Sequence, residues 1–412
     1  MGLLGLSVLA LGLVTREARG ARAAGERLER MRRSPAWSGD RFTNALPRVD
    51  GPWQRMLGEW LVGGSADRVP TAPIPVVARG RGDFDVPPPS GLAVTWLGHS
   101  TLLLEVDGAR VLVDPVWGER ASPVSFAGPR RWFAPPLALD ALPDVDAVVI
   151  SHDHYDHLDV PTVKALAARG VRWFVPLGIG AHLEAWGVAP GDVVELDWWA
   201  SAPAGPITIT AVPARHFSGR GVDDQNATLW CGFALVGPTH RVFYSGDTAM
   251  HPGFAEIGAR LGPFDLTLIE SGAYDALWSD VHLGPEQAVI AHHLARGRVL
   301  LPVHWGLFDL ALHGWTEPIE RVLVAAARAR VPVLTPRPGE RVEPSAPPAF
   351  ARWWPDLRWR TEVEAPAWST HVEALLAENA LERIAARTSS LAARPSSPRA
   401  ETAARAAAPG GP

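Results

Sequence analysis

The sequence predicts an α/β protein in which two groups of short strands form sheets that are covered by helices on their outer faces. Two observations support this prediction: apolar residues run through many short segments typical of strands, and segments with helical periodicity lie between several of them. The chain has 412 residues and is 47% hydrophobic. It is therefore long and apolar enough to bury one large core or two small ones without disulfide bonds.

The predicted elements begin with an antiparallel group. Strands are expected at 92–97, 101–106 and 109–113, and Asp107-Gly108 between the last two is typical of a two-residue hairpin turn. Further apolar segments predict buried strands at 147–150, 172–175, 207–212, 229–236, 242–245, 266–269, 299–303 and 331–334. Helical spacing predicts helices at 160–169, 178–186, 254–261, 284–295 and 318–329.

The chain divides into four predicted parts. Residues 1–40 combine an apolar segment with a linker, and residues 41–343 form the main domain. Residues 344–389 are expected to form a strap rich in Pro and Trp, followed by a peripheral helix at 369–387. Residues 390–412 are mostly Ala, Ser, Pro, Arg and Gly, which predicts a disordered tail.

The apolar segment at 3–14 bears on location. It is too short to cross a bilayer as an ordinary helix, which needs about 20 residues. Its length suits the core of a signal peptide, but Arg16, Arg19 and Arg22 follow it, which reverses the usual charge order. Two interpretations stay open: export or attachment to a membrane surface through this segment, or a disordered N-terminus on a cytoplasmic protein.

Charge and cysteine content exclude several classes of protein. The formal net charge is −5 and no basic cluster stands out, so we expect no nucleic-acid partner. Cys231 is the only cysteine, which excludes an intramolecular disulfide and a cysteine-based zinc site.

The segment Ser151 to His157 carries the strongest chemical signal. It places three histidines and two aspartates directly after a predicted buried strand. A solvated polar loop is the alternative, but imidazole is typical of metal ligation and of titration near neutral pH. Alternate residues at a strand end point to one side, so His152 and His154 share a side, while the following turn moves Asp156 and His157 to a second position. The segment therefore predicts two adjacent metal positions, for which Zn²⁺ is favoured and Fe, Mn and Co are alternatives.

The motif His-x-His-x-Asp-His resembles that of the metallo-β-lactamase superfamily. This resemblance implies a four-layer αββα sandwich with a two-metal site at the edge of its two sheets. It also implies a later His, an Asp in a Gly-Asp pair and a final His, each at a strand end, and His216, Asp247 and His304 meet these requirements. The resemblance implies that a first trio of ligands, His152, His154 and His216, holds one metal. It implies that a second trio, Asp156, His157 and His304, holds the other metal, and that Asp247 bridges the two.

Further segments resemble the N-acylphosphatidylethanolamine-hydrolysing phospholipase D group and its bacterial relatives over residues 41–343. The segments are Thr95 to Thr101, Asp114 to Trp117, Arg120 to Pro123, Thr228 to Trp230, Phe264 to Leu266, Gly272 to Tyr274, His282 with Pro285 to Val289, and His304 to Gly306. The resemblance implies a phosphodiesterase that cleaves an N-acylated or other phospholipid. Departures at Glu270-Ser271 and around His216, at Arg215 and Phe217, lie beside the predicted metals and bear on substrate identity.

The expected catalysis follows from charge. Two divalent cations would supply a metal-bridging hydroxide as the nucleophile, and Asp156 would hold metal, accept the hydroxide proton, or do both. His282 is predicted to be a catalytic donor that stabilises the developing negative charge. His99 either lines the site or fixes the Gly98 turn. Aromatic residues near these segments form either an acyl-chain groove or part of the core: Trp117, Trp132, Phe133, Trp198, Trp199, Phe217, Trp278 and Trp305.

Two other functions stay open at this point. One is a lactonase or carboxylic-ester hydrolase acting on a small polar molecule. The other is a redox or binding protein that uses the same fold without hydrolysis, because a fold alone does not fix chemistry.

Overall fold

Two β-sheets pack face to face in the computed structural model, and helices cover their outer faces. The structure describes residues 15–373 apart from 53, 56–57 and 60–62, together with residues 375, 381 and 384. The apolar segment at 3–14, the tail at 390–412 and most of the predicted helix at 369–387 lie outside the described residues. No helix among the described residues has the length and apolar character needed to span a membrane.

The first sheet has seven strands in the order β15-β3-β4-β5-β6-β7-β8. Strands β15, β3, β4 and β5 pair antiparallel, and β5 to β8 run parallel. The predicted hairpin turn joins β4 to β5 with Asp107 at φ 49° and Gly108 at φ 90°, the left-handed conformations that such a turn requires. The strands are β3 (Leu92–Gly98), β4 (Thr101–Val106), β5 (Ala109–Val113), β6 (Ala147–Val149), β7 (Arg172–Pro176), β8 (Val193–Leu196) and β15 (Arg341–Val342).

The second sheet has six strands in the order β14-β13-β12-β11-β10-β9. Strands β12, β13 and β14 run parallel, while β9 to β12 pair antiparallel. As a result, β10, β12, β13 and β14 all end at the same edge. The strands are β9 (Ser201–Ala204), β10 (Ile207–Val212), β11 (Gly232–Val236), β12 (Arg241–Tyr244), β13 (Phe264–Glu270) and β14 (Gly297–Val303).

The structure differs from two strand predictions. The segment 331–334 contributes only an isolated bridge between Val333 and Leu300. Strand β11 begins three residues later than predicted because Leu229 and Cys231 donate backbone hydrogen bonds to Leu177 and Ser151, which lie in loops after the first sheet.

Three apolar layers hold the sandwich together. Residues of both sheets, such as Leu104 and Phe233, form the core between the sheets. Helices α2 and α3 pack on the outer face of the first sheet, and α4, α5 and α6 pack on the outer face of the second. The predicted four-layer sandwich is thus confirmed. The helices are α1 (Gly25–Arg32), α2 (Val160–Ala167), α3 (Ile179–Ala185), α4 (Gly253–Arg260), α5 (Pro285–Leu294) and α6 (Glu317–Ala329).

Residues 15–42, which include most of the predicted linker, pack on the sandwich. Helix α1 is followed by a short hairpin of β1 (Trp37–Ser38) and β2 (Arg41–Phe42). Arg27 of this helix forms ion pairs with Glu184 and Glu195, at 2.5 and 3.0 Å. Ion pairs and the buried Phe42 side chain therefore attach this segment to the domain.

The strap also joins the core. Trp353 stacks on Trp305 at a ring distance of 5.4 Å, and Trp354 is 3% exposed. These indole rings pack against the core between the sheets beside Trp96.

Candidate metal centre

Four strand ends supply the predicted metal ligands. The loop Ser151 to His157 follows β6 of the first sheet. His216, Asp247 and His304 follow β10, β12 and β14 of the second sheet, which end at one edge. The two sheets meet at this edge, so residues more than 150 positions apart in sequence come together.

The first trio converges through its imidazole nitrogens. His154 Nδ1 lies 2.8 Å from His152 Nε2 and 3.3 Å from His216 Nε2. His152 and His216 are buried, and His154 is partly exposed. The three nitrogens therefore face a common point, as the sequence prediction requires.

The second trio converges on a carboxylate. Asp156 Oδ2 lies 3.4 Å from His157 Nε2 and 3.4 Å from His304 Nε2. The same oxygen also accepts a hydrogen bond from His99 Nε2, at 3.0 Å. His99 therefore lies next to the second trio.

Asp247 lies between the two trios. Its Oδ2 is 2.9 Å from His304 Nε2 and 3.2 Å from His157 Nε2, and 3.8 Å from both His152 Nε2 and His216 Nε2. One carboxylate oxygen therefore faces both groups of histidines, which is the position that a bridging ligand would take.

The donor set fits divalent metal ions. His157 Nε2, His304 Nε2 and Asp247 Oδ1 are buried and form no hydrogen bond of acceptable geometry with any described residue, although Asp247 Oδ2 lies close to both nitrogens. Such groups are costly to bury unless an ion satisfies them. Imidazole nitrogens and carboxylate oxygens without a thiolate are typical ligands of zinc and of several other transition metals.

Neighbouring groups orient the imidazole rings. His216 Nδ1 donates to the backbone carbonyl of Val281 at 2.9 Å, and His152 Nδ1 lies 3.0 Å from Ser151 Oγ. When Nδ1 carries the proton, Nε2 keeps a lone pair for a metal. The bonds therefore prepare Nε2 of each ring for ligation.

The Asp114 carboxyl orients His157, and the sequence analysis gave it no role. Its Oδ2 lies 2.7 Å from His157 Nδ1 and accepts hydrogen bonds from Tyr244 Oη and Ser151 Oγ, each at 2.5 Å. Asp114 directly follows β5, which runs parallel to β6. Its place at a strand end beside the metal loop is the sequence signal that identifies it.

Charges in the cluster oppose the effect of burial. Burial lowers the pKa of His304, but Asp247 and Asp156 raise it to about 10. Burial raises the pKa of the Asp156 carboxyl, but His157, His304 and His99 hold it well below its usual range. Similarly, His157 and His304 outweigh burial and lower the pKa of Asp247. The two carboxylates are thus ionised, which is the form in which they would bind a metal ion.

His282, the predicted catalytic donor, lies beside this cluster. Its Nδ1 is 2.8 Å from Glu270 Oε2 and 3.9 Å from Asp247 Oδ2. Glu270 is the last residue of β13 and is fully buried. Burial raises the pKa of its carboxyl, and His282 acts in the opposite direction. The sequence indicates Glu270 only as a departure from the resemblance, although its position at a strand end of the same edge is a signal for the site.

His99 has contacts that fit both predicted roles, lining the site and fixing the Gly98 turn. Its ring contacts Asp156, while its backbone carbonyl accepts hydrogen bonds from Trp96 Nε1 and the His304 amide. Burial and the nearby His304 lower the pKa of His99 to about 3, so its ring is neutral at pH 7. It supports the turn after β3 and contacts the cluster at the same time.

A cavity of about 580 Å³ opens from the cluster. His154, Asp156, Asp247, His282 and His304 line its floor. Its remaining walls combine apolar side chains with a charged pair at the rim, and the lining residues include Phe217, Trp278, Val281, Leu310, Arg48 and Asp50.

Of the eight aromatic residues considered for an acyl-chain groove, only Phe217 and Trp278 line this cavity. Trp305 is 5% exposed and stacks on Trp96, so it belongs to the core. Trp198 instead donates from Nε1 to the Trp230 carbonyl. Most of the aromatic residues therefore have packing roles.

Comparisons with known proteins agree with the fold. The family described as "Beta-lactamase superfamily domain" matches residues 109–305. An uncharacterised protein of Mycobacterium tuberculosis is 49% identical over 331 residues, which are 78% of this chain and 87% of that protein. The N-acyl-phosphatidylethanolamine-hydrolyzing phospholipase D 1 of Caenorhabditis elegans is 43% identical over 240 residues, which are 55% of this chain and 67% of that protein. The mitochondrial enzyme of the same description from Saccharomyces cerevisiae is 31% identical over 245 residues, which are 56% of this chain and 51% of that protein.

The family match, taken together with the two-sheet sandwich and its His/Asp cluster, identifies the chain as a metal-dependent hydrolase. The chain belongs to the metallo-β-lactamase superfamily. Within it, the chain is similar to the N-acylphosphatidylethanolamine-hydrolysing phospholipases D, as the sequence motifs predicted.

Proposed function

We propose that the protein is a phosphodiesterase of phospholipase D type that acts on an N-acylated or other phospholipid. The cavity carries this proposal, because it connects the His/Asp cluster to an apolar wall that a lipid chain would cover. The similarity to two phospholipases D supports the same reaction class.

The proposed cofactors are two divalent cations, with Zn²⁺ favoured and Fe, Mn and Co as alternatives. The first trio would hold one cation, the second trio would hold the other, and Asp247 would bridge them. When bound, the cations supply Lewis acidity that activates water and stabilises negative charge on the phosphate.

The side chains around the cluster have complementary roles in this proposal. Asp156 lines the cavity with an ionised carboxylate that would hold metal, and its lowered pKa makes it a weak acceptor for the proton of the attacking water. His282 lines the same cavity and would act at the phosphate or at the leaving oxygen.

The cavity walls determine how a substrate would lie. Phe217, Trp278 and Leu310 exclude water and would contact an apolar chain. At the rim, the Arg48 guanidinium lies 4.9 Å from the centre of the Phe217 ring, where it would attract the phosphate of an approaching lipid.

The test is a substrate panel with zinc-loaded protein. The panel contains micellar N-acylphosphatidylethanolamine, bis(p-nitrophenyl) phosphate, and lactones of several chain lengths. We expect release of phosphatidic acid and an N-acylethanolamine, with higher kcat/KM on the lipid than on the soluble diester. Efficient lactone opening without phosphodiester turnover would instead favour the carboxylic-ester function.

A further inference from the structure

Glu270 is a buried carboxylate that contacts two backbone amides and the imidazole of His282. Its Oε1 accepts hydrogen bonds from the Thr248 amide at 2.6 Å and the Leu283 amide at 3.1 Å. Its Oε2 lies 2.8 Å from His282 Nδ1. Since backbone amides only donate, the position of Oε1 must be occupied by an acceptor, which fixes how an amide side chain would be oriented there.

His282 has a different environment on its two ring nitrogens. Nδ1 is directed to Glu270, and no hydrogen bond within the described part of the chain involves Nε2. The side chain is 13% exposed and lines the cavity, whereas Glu270 is fully buried behind it. Only the imidazole of this pair is therefore available to a substrate.

We propose that Glu270 is a positioning residue that fixes the orientation and the Nδ1–H tautomer of His282, so that Nε2 exchanges protons with the substrate. This inference rests on the proposed hydrolysis and changes the role of His282 within it. A neutral ring with Nδ1–H has an unprotonated Nε2, so it is a proton acceptor rather than a fixed neutral donor. It becomes a donor at Nε2 after it takes up a proton, and the carboxylate then stabilises the resulting imidazolium.

The reaction balances with one water and one proton relay. The water oxygen forms a bond to phosphorus, and the bond from phosphorus to the leaving alcohol oxygen breaks with its electron pair on that oxygen. His282 Nε2 takes up the proton released by the water and gives it to the leaving oxygen, so the ring returns to its neutral Nδ1–H form. One phosphomonoester and one alcohol result.

Glu270→Gln tests the tautomer directly. The amide oxygen must take the place of Oε1 to accept from the Thr248 and Leu283 amides, so the NH₂ group faces His282 Nδ1. An NH₂ group only donates, which forces Nδ1 to accept and moves the ring proton to Nε2. The variant is thus expected to reverse the His282 tautomer without removing a buried hydrogen bond.

Glu195→Gln is a matched control. Glu195 Oε1 also accepts from two backbone amides, those of Gly178 and Gly180, and its Oε2 accepts from Arg27 and Arg30. Because guanidinium groups only donate, Glu195→Gln also loses these bonds, and its structural cost is an upper limit for that of Glu270→Gln. The residue lies in β8 and outside the cavity. It reports the cost of the same chemical change at a site that does not face a histidine of the cluster.

The first readout is the tautomer itself. Zinc-loaded protein with ¹⁵N-labelled histidine is measured by two-bond ¹H–¹⁵N correlation, and His282→Gln identifies the signal. We expect Nδ1–H in the wild type and in Glu195→Gln, and Nε2–H in Glu270→Gln. An Nε2–H tautomer in the wild type overturns the inference, even if the variant does not fold and even if the protein hydrolyses no phosphodiester.

The second readout is the dependence on the leaving group. Proton donation to the leaving oxygen speeds the departure of an alcohol. It has little effect on the departure of p-nitrophenolate, which is a good leaving group without a proton. Glu270→Gln should lower kcat on N-acylphosphatidylethanolamine by about 10²-fold or more with little change in KM. On bis(p-nitrophenyl) phosphate the loss should be below about tenfold. Metal content by elemental analysis should equal that of the wild type.

Two outcomes of this readout overturn the inference. If Glu270→Gln loses metal in proportion to its activity, Glu270 serves the neighbouring His304, whose Nδ1 lies 3.9 Å from Oε2. If kcat falls equally on both diesters at full metal content, His282 is not the proton donor to the leaving group. Absence of turnover on both diesters by the wild type would refute the proposed function instead, and the tautomer measurement would stand separately.

Discussion

Replacement of Asp114 by Asn should weaken one metal position selectively. The Asn amide oxygen can keep the 2.7 Å hydrogen bond from the Ser151 amide. Its NH₂ group then takes the place of Oδ2 and faces His157 Nδ1, Ser151 Oγ and Tyr244 Oη. The hydroxyls of Ser151 and Tyr244 can turn to accept a hydrogen bond from this NH₂ group. His157 Nδ1 can accept one only if it loses its proton. The proton moves to Nε2, which removes the lone pair that His157 would offer a metal.

The expected loss of metal affinity follows from this single change of tautomer. Loss of an orienting partner of a metal-bound histidine typically reduces affinity 10- to 100-fold. This corresponds to about 1.4–2.8 kcal/mol of binding free energy. The loss should be larger at the second trio, because His216 keeps its Nδ1 partner in Val281 and His152 contacts Asp114 only through Ser151.

The assay is a zinc titration of metal-free protein against a chromophoric chelator that resolves two binding steps. Asp107→Asn is the matched control, because Asp107 Oδ1 lies 2.6 Å from His240 Nδ1 and Oδ2 accepts from backbone amides, at the hairpin turn and away from the cavity. We expect two wild-type steps in the control and one weakened step in Asp114→Asn. Unchanged affinities in Asp114→Asn, or an equal loss of both steps, would refute the reasoning.

Four further predictions concern the bridging residue, the predicted donor, the cavity wall and the N-terminus. Asp247→Ala should abolish activity and weaken both metal positions, since its Oδ2 faces both trios; elemental analysis showing two retained ions would contradict a bridging role. His282→Ala should keep full metal content while kcat falls about 10²-fold, because a group used mainly in the transition state affects rate more than binding; loss of metal comparable to that in His304→Ala would mean that it is a ligand. Leu310→Ala should raise KM for long-chain lipid about 5- to 30-fold, from roughly 1–2 kcal/mol of lost apolar contact, with no change for bis(p-nitrophenyl) phosphate; Leu261→Ala, outside the cavity, is its control. Deletion of residues 1–14 should reduce binding to liposomes in a sedimentation assay while hydrolysis of soluble diester is kept, and equal sedimentation of both proteins would argue against attachment through this segment.

The sequence alone predicted much of the site because its main signal is local. His152, His154, Asp156 and His157 occupy one loop after one strand, so their spacing is visible without any tertiary information. The order of the later strand ends then supplied His216, Asp247 and His304 through the resemblance. The structure brings all of these residues to one edge, and their roles as ligands remain predictions that the experiments above test.

The sheets were predictable for a similar reason. Alternation of side chains depends on immediate neighbours, and Asp107-Gly108 specifies its hairpin by backbone conformation alone. Short edge strands such as β8 (Val193–Leu196), with three half-buried residues out of four, carry a weaker pattern and were missed.

Only the tertiary structure decided which carboxylates contact the histidines of the site. Asp114 meets His157 across 43 positions and Glu270 meets His282 across 12, and neither contact has a local signature. The parallel direction of β5 with β6, and of β12 with β13, brings these carboxylates to the strand ends where the ligands lie. Packing likewise separated Trp278, which lines the cavity, from Trp305, which is in the core. Local sequence fixes which groups are present, whereas strand direction and packing over long separations fix which of them meet.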